Sequence, residues 1–326
     1  MNERFKPALG LANGHLQTIF PTLFSKSHVS KIEREIFELV DGDFVECLWY
    51  QKPKVDEKRP IITLFHGLAG SFDSPYIQRA MHRFAKAGFS VVVMHFRGCG
   101  KEPNRLPRSY HSGDTGDAKA WIEHLQKTYH DTPLYAIGYS LGGNMLLKLL
   151  GEWGDASALE AAIAVSVPMQ LESSANKMNS GFSRLYQYRL MKALNKSLEE
   201  KYNYHDIEKL IGLKKEEVKN LSNFWEFDDA YTAPIHGFKD AKEYYAKSSS
   251  KQYLKDITTK TLIVHAFDDP FMSEDVIPTE EELSPTITFE LYPCGGHVGF
   301  VAGTIFKPHY WLETRILNFL DTIRKN

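Results

Sequence analysis

Tyr135-Ala136-Ile137-Gly138-Tyr139-Ser140-Leu141-Gly142-Gly143-Asn144 is the stretch whose reading decides the fold. An apolar run precedes the serine and a helix-prone run follows it, so Gly-x-Ser-x-Gly joins strand to helix in the manner of a nucleophile elbow. A serine hydroxyl attacks a carbonyl only when a base takes its proton, and it must therefore stand on a sharp turn that an imidazole and a substrate can both reach. Gly138 and Gly142 permit that turn, because a Cβ at either position would block the approach of two backbone segments. By itself the pentapeptide also suits a turn that only packs; its surroundings decide between the two.

Outward from the elbow, the chain alternates. Residues 35–40 and 44–50 are β-prone runs around Asp41-Gly42, a tight-turn dipeptide, and predict an antiparallel edge hairpin. Residues 61–65 and 89–95 are short apolar runs of the kind covered on both faces. Ser74, Pro75 and Gly88 bound a helix over 75–87. Further elements are expected as a helix over 118–129, the elbow strand over 134–138, its helix over 141–153 and a strand over 161–167. This order implies a mostly parallel sheet with helices on both faces. The first thirty residues, with His15-Leu16-Gln17-Thr18-Ile19-Phe20-Pro21, show no clear period and are expected to wrap the surface.

From 169 to 255 the alternation stops, and the sequence turns polar, aromatic-rich and helix-prone. A plain loop of that length is improbable, so the segment reads as a helical cap inserted into a single domain spanning 1–326 and lying over the mouth of the sheet. Phe182, Leu185, Tyr186 and Phe224 are its candidates for an acyl-accommodating wall. Strands resume at 261–265 and 286–292, and a helix over 307–323 ends the chain.

Composition narrows the function. With 39 basic and 41 acidic residues there is no basic excess to attract nucleic acid, and a small molecule is the expected partner. Cys47, Cys99 and Cys294 are odd in number and lack CxxC spacing, which argues against both a disulfide framework and a zinc site. They suit idle thiols of a reducing cytoplasm. The opening Met1-Asn2-Glu3-Arg4-Phe5-Lys6-Pro7 carries charges and a proline where a signal peptide needs an apolar core. No run approaches the roughly eighteen apolar residues of a membrane helix. A soluble, cytoplasmic protein without stable membrane insertion is expected. His205-Asp206 is too sparse for a metal site, and Gly98-Cys99-Gly100 lacks the Lys-Ser/Thr ending of a phosphate loop, so neither metal nor cofactor is expected.

The strand over 261–265 runs into Ala266-Phe267-Asp268-Asp269-Pro270-Phe271-Met272, and the next into Pro293-Cys294-Gly295-Gly296-His297-Val298-Gly299-Phe300. Nucleophile, acid and histidine thus follow in α/β-hydrolase order, each after the C-terminal end of a strand. The sequence resembles the α/β-hydrolases, and among them it is similar to the YheT-like hydrolases, bacterial esterases related to eukaryotic lipid-directed hydrolases. The narrower match rests on His15-Leu16-Gln17-Thr18, His66-Gly67-Leu68-Ala69-Gly70-Ser71, His95-Phe96-Arg97-Gly98-Cys99, Tyr110-His111-Ser112-Gly113, Gly138 to Asn144, and the Asp268 and His297 loops.

That resemblance implies a serine hydrolase that cleaves carboxylic esters through an acyl-enzyme. Ser140 attacks, His297 carries the proton, and an aspartate orients the imidazole. In α/β-hydrolases the acid commonly lies three residues after the small residue ending the strand; Ala266 then selects Asp269, with Asp268 as the alternative and otherwise a turn-capping carboxylate. The family pattern puts the oxyanion donors on the backbone N–H groups of Leu68 and Leu141. The implied substrate is a small-molecule ester, with acyl lipids among the candidates. Thioester cleavage, acyl transfer and non-catalytic binding remain as alternatives. Serine rather than aspartate at position 140 disfavours a dehalogenase or epoxide hydrolase. His66 is expected to support its loop, Arg97 with Asp114 and Asp117 to brace loops, and His15, His95 and His111 are assigned no reaction step.

Overall fold

Residues 4–25 and 29–325 are described by the structure, a computed structural model; Met1, Asn2 and Glu3 of the N-terminal stretch read above lie outside them. The first departure from expectation is α1 (Gly14–Phe24), a helix where no period is visible. Asn13 caps it, its Oδ1 accepting from His15 N at 2.9 Å and Leu16 N at 3.3 Å. Its buried face carries a glutamine instead of an apolar stripe. Gln17 Nε2 donates to the Leu11 and Val301 carbonyls at 2.8 and 3.0 Å, and its Oε1 accepts from Val301 N at 2.6 Å. A helix anchored by a buried amide leaves no hydrophobic periodicity to detect.

The apolar runs become strands. β1 (Ile32–Glu38) and β2 (Phe44–Tyr50) form the predicted hairpin, with Glu38 opposite Phe44. β2 runs antiparallel to β4 (Ser90–Met94). β4 pairs with β3 (Ile61–Phe65), and the sheet continues in parallel through β5 (Leu134–Tyr139), β6 (Ala161–Val165), β7 (Thr261–Ala266) and β8 (Ile287–Tyr292). Every residue of β3, β4 and β6 is buried. The side-chain period of two splits β3 between two cores. Ile61 and Phe65 join Trp121 and Leu146 of α3 (Gly116–Thr128) and α4 (Leu141–Trp153) on one face. Ile62 and Leu64 join Ile77 and Phe84 on the other, beneath α2 (Pro75–Lys86).

Between β6 and β7 stand α5 (Leu171–Met178), α6 (Ser183–Lys201), α7 (Ile207–Ile211), α8 (Lys215–Val218), α9 (Phe224–Phe227), a π-helical turn Asp228–Thr232, α10 (Ala233–Ile235) and α11 (Ala241–Ser248). They bury two small clusters of their own, one around Tyr244 and Tyr245, the other around Met191, Leu198 and Phe227. Polar contacts tie them to loops at the C-terminal ends of the strands. Asn144 Nδ2 donates to the Ser112 and Ser248 carbonyls at 2.9 and 2.8 Å, and Tyr231 OH donates to the Pro107 carbonyl at 2.9 Å.

After β8, a short hairpin of β9 (Val301–Gly303) and β10 (Pro308–Tyr310) occupies the start of the segment expected to be helical, so α12 begins only at Trp311 (Trp311–Lys325). Thr304 and Lys307 close the reversal between the two, Lys307 N donating to the Thr304 carbonyl at 3.1 Å, and Gly303 leads into it at φ +80°. Arg97 braces the opposite side of the sheet. Its Nε and Nη2 both meet the Asp117 carboxylate at 2.6 Å, while Nη1 reaches Asp41 at 2.7 Å and Asp43 at 3.1 Å. Among the described residues, no helix is long and apolar enough to cross a membrane.

Lys201, at the end of α6, is buried against the loop after β4, its Nζ donating to Asn104 Oδ1 at 2.6 Å and to the Leu106 and Arg108 carbonyls at 3.3 Å. Burial pushes its ammonium down from 10.5 to about 8. Between those values the unfolded chain holds the extra proton, so stability rises with pH across that window. Relative to Lys201→Met, the wild type is expected to gain on the order of 3 kcal/mol from pH 8 to pH 10.5 in urea denaturation. Parallel pH profiles for the two proteins would show that the amine is not buried in its charged form.

Candidate active site

Strand β5 ends and α4 begins within one residue. Ser140 takes φ 51° and ψ −118°, a conformation that costs a non-glycine residue roughly 1–3 kcal/mol and persists only where the surroundings impose it. Those surroundings are backbone. A Cβ on Gly138 would lie 2.4 Å from the Gly142 carbonyl oxygen, and one on Gly142 would lie 2.5 Å from the carbonyl oxygens of both Phe65 and His66. The glycines let the elbow press against the end of β3, and the serine side chain is held out of the turn.

His297 Nε2 stands 3.0 Å from Ser140 Oγ, and His297 Nδ1 stands 2.8 Å from Asp269 Oδ2. A carboxylate only accepts, so Nδ1 carries the imidazole proton and Nε2 presents its lone pair to the serine hydroxyl. The other Asp269 oxygen accepts from Phe271 N at 2.9 Å, which fixes the carboxylate plane in a buried position. Asp268 faces away from the imidazole. Its Oδ1 accepts from Gly296 N at 2.9 Å and braces the turn that carries the histidine, and burial raises its carboxyl above the ordinary range.

Several contacts around His297 carry no advance signal in the sequence. Phe271 stacks on the imidazole, with ring centroids 4.0 Å apart and planes 11° from parallel. The His297 amide donates to Thr18 Oγ1 at 2.8 Å, and the Val298 amide donates to Ser166 Oγ at 3.0 Å. Pro21 has no N–H, so the Gln17 carbonyl lacks its usual helical donor; a Cβ on Gly299 would lie 2.3 Å from that oxygen. Helix α1 therefore seats the histidine loop, from almost three hundred residues upstream. His15-Leu16-Gln17-Thr18 marks the place in the sequence, but not the contact.

The loop after β3 faces the same turn. Gly67 N donates to Tyr76 OH and Ala69 N donates to Tyr110 OH, each at 2.8 Å. These two bonds pin the amides on either side of Leu68. Among the described residues, neither Leu68 N–H nor Leu141 N–H donates to a protein acceptor, and both residues line the cavity that contains Ser140. His66 supports the loop from beneath: Nδ1 meets the Gly67 carbonyl at 2.7 Å, and Nε2 accepts from Phe96 N at 3.2 Å. Burial holds it neutral, with its pKa pushed down to about 3.

The cavity measures about 710 Å³ and runs from Ser140 and His297 beneath the inserted helices. Tyr186, Leu190, Leu194, Phe224 and Phe227 line it. Phe182 and Leu185, expected in that wall, do not; they are 52% and 51% exposed. Each successive helical residue turns by about 100°, so the α6 face carrying Tyr186 and Leu190 into the cavity leaves Leu185 beside it and outside. Among the described residues, His111, Asp114 and His236 bring ligand-type atoms within 4.8 Å of one another. Gly113 N donates to His111 Nδ1 at 3.1 Å, and the Arg108 guanidinium lies 3.4 Å from Asp114, so a cation already faces the set.

A strained serine on a strand-to-helix turn of a mostly parallel sheet, with histidine and aspartate on later strand ends, defines an α/β-hydrolase. The sequence profile of the alpha/beta hydrolase fold family matches residues 60–304, and the chain belongs to that family, in its YheT-like branch. It is 43% identical over 321 residues to YheT of Escherichia coli K12, provisionally named an esterase, covering 98% of this chain and 94% of that protein. Phospholipase ABHD3 of Mus musculus is 27% identical over 310 residues, covering 93% and 74%. The solved esterase Pf2001 of Pyrococcus furiosus shares the fold with a TM-score of 0.54 at 14% identity, covering 90% of this chain and 92% of that one.

Gly142→Ala should destabilise the protein by about 3 kcal/mol, since backbone on both sides must move to admit the methyl group. Gly116→Ala, where an added Cβ meets nothing within 4 Å, should be neutral or slightly stabilising. Urea denaturation of the two variants checks the contrast, and equal stabilities would show that the elbow is not closed by that contact.

Proposed function

We propose that this protein is a serine hydrolase that cleaves carboxylic esters through an acyl-enzyme, with Ser140, His297 and Asp269 as its catalytic triad. The carrying observation is the unbroken chain from Ser140 Oγ through both imidazole nitrogens to a buried carboxylate, at 3.0 and 2.8 Å. Relatives named as an esterase, a phospholipase and a monoacylglycerol lipase support ester cleavage as the reaction class.

In this reading, Ser140 Oγ bonds to the ester carbonyl carbon as its proton passes to His297 Nε2. The carbonyl oxygen becomes an oxyanion and is met by the unengaged Leu68 and Leu141 N–H groups, the latter at the start of α4, where the helix dipole favours negative charge. Collapse breaks the C–O bond, and the departing alcohol takes the proton from Nε2. Water then repeats the sequence in reverse and releases the acid. Asp269 keeps Nδ1 protonated and stabilises the imidazolium; Phe271, flat against the ring, limits its tilt. Residues 169–255 act as a cap within the one domain. They supply cavity wall and no triad member, so they govern which acyl group enters.

Ser140→Ala should remain folded and lose p-nitrophenyl ester hydrolysis by several orders of magnitude, because nucleophile and base act as a unit. Asp269→Asn should lose far more activity than Asp268→Asn; the reverse order would move the acid to Asp268. Wild-type turnover in Ser140→Ala, or failure of a serine-directed phosphonate to label Ser140, would remove the mechanism altogether.

The cap reading has a separate check. Leu190→Trp projects bulk into the cavity from α6 and should shorten the preferred acyl chain across a series of p-nitrophenyl esters, while labelling of Ser140 by a small phosphonate stays nearly unchanged. An unaltered chain-length profile would mean that acyl groups do not pass that wall.

A further inference from the structure

Exposed apolar side chains gather where the cavity opens. Leu23 of α1 lines the cavity and is nevertheless 64% exposed, which places it at the mouth; Phe24 beside it is 59% exposed. Across the opening, Phe182, Leu185, Arg189 and Lys192 follow one another at three- and four-residue spacing along α6; Arg189 lines the cavity and is exposed, and the other three lie beside the helix's cavity face. His15 joins the two helices, with Nδ1 3.1 Å from Tyr186 OH and its ring centroid 4.7 Å from that of Phe182. Isolated exposed apolar residues are ordinary on any surface, but exposed apolar residues on both helices that border a cavity mouth mark a surface with a partner.

Charge identifies that partner. Helix α1 contains no Asp, Glu, Lys or Arg, and α6 carries Arg184, Arg189, Lys192, Lys196 and Lys201 against two acidic residues at its far end, Glu199 and Glu200, the second of which lies 3.9 Å from Lys196. This local excess stands out on a chain whose formal net charge is −2. Apolar side chains beside cations are the pairing that an anionic lipid surface binds: the apolar groups enter the acyl boundary, and the cations meet the phosphates.

We propose that this rim, made by α1 and the first half of α6, docks on the surface of an anionic phospholipid bilayer and sets the cavity mouth against it. The inference rests on the reading of the cavity as the ester-binding site. A docked mouth lets an acyl chain pass from the bilayer to Ser140 along Leu23, Tyr186 and Leu190 without crossing water. Attachment is peripheral and reversible, since a few apolar side chains and two rim cations, not a spanning segment, make the contact.

Cosedimentation of the full chain with vesicles checks this directly. In low salt, vesicles of phosphatidylglycerol mixed with phosphatidylcholine should bind the protein at least tenfold more strongly than phosphatidylcholine alone, and added salt should release it. The double variant Phe24→Ser/Leu185→Ser and the single variant Lys192→Glu should each lose about tenfold or more of that binding. Both should hydrolyse a water-soluble short-chain p-nitrophenyl ester at the wild-type rate, because none of the three side chains lines the cavity. Equal binding to both vesicle types, or variants that bind as the wild type does, would overturn the proposal. So would a concentration-dependent dimer abolished by Phe24→Ser/Leu185→Ser, which would assign the rim to a second copy of the chain. Absence of soluble-ester hydrolysis in a wild type that still binds vesicles would instead defeat the catalytic reading and leave the surface in place.

Discussion

Contact between two backbones at the elbow governs the rest of the site. Gly142 brings the turn against the carbonyls of Phe65 and His66, and Gly138 brings β5 against the first turn of α4, at distances no side chain tolerates; Ser140 between them is held at positive φ. Conformational strain at one residue is thereby offset by close packing of the turn on the end of β3. The same contact sets the loop after β3 beside the serine, and with it the Leu68 amide. Position of Ser140 and position of the Leu68 and Leu141 amides are one structural fact.

The histidine is positioned by a different device. Its loop leaves β8 with Gly295, Gly296, Val298 and Phe300 all at positive φ, a path closed locally by one hydrogen bond, from Phe300 N to the Gly295 carbonyl at 2.9 Å. Three outside groups hold it: Asp268 from the loop after β7, Ser166 from the end of β6, and Thr18 from α1. Adjacent carboxylates thus divide their work. Asp269 turns inward to the imidazole, and Asp268 fastens the backbone that carries it. Helix α1 joins the support of the histidine to one side of the cavity mouth, so a shift of α1 would disturb both.

The inserted helices meet the sheet through polar contacts at loop ends, such as Asn144 with Ser248 and Lys201 with Asn104, while their apolar clusters stay largely their own. The Ser140 site and the cavity wall therefore depend on different packing. The elbow and its partners reside in the sheet, and the cavity wall resides in helices that can vary without disturbing the sheet.

What the sequence by itself determined is whatever depends on local pattern. Short apolar runs specify β3, β4 and β6; Asp41-Gly42 specifies the edge hairpin; Gly138-x-Ser140-x-Gly142 specifies the strand-to-helix turn; and chain order singles out His297 among thirteen histidines. Tertiary structure decided what depends on direction and on distant partners. The family pattern favours Asp269 yet leaves Asp268 as an alternative, and only the turn that carries them aims Asp269 at the imidazole. Leu185 and Tyr186 diverge because about 100° of helical rotation separates cavity from solvent. Helix α1 is hidden from pattern reading because it is held by the hydrogen-bonding capacity of Gln17 and Thr18 and not by an apolar stripe, and hydrogen bonds to groups almost three hundred residues away leave no period in the sequence.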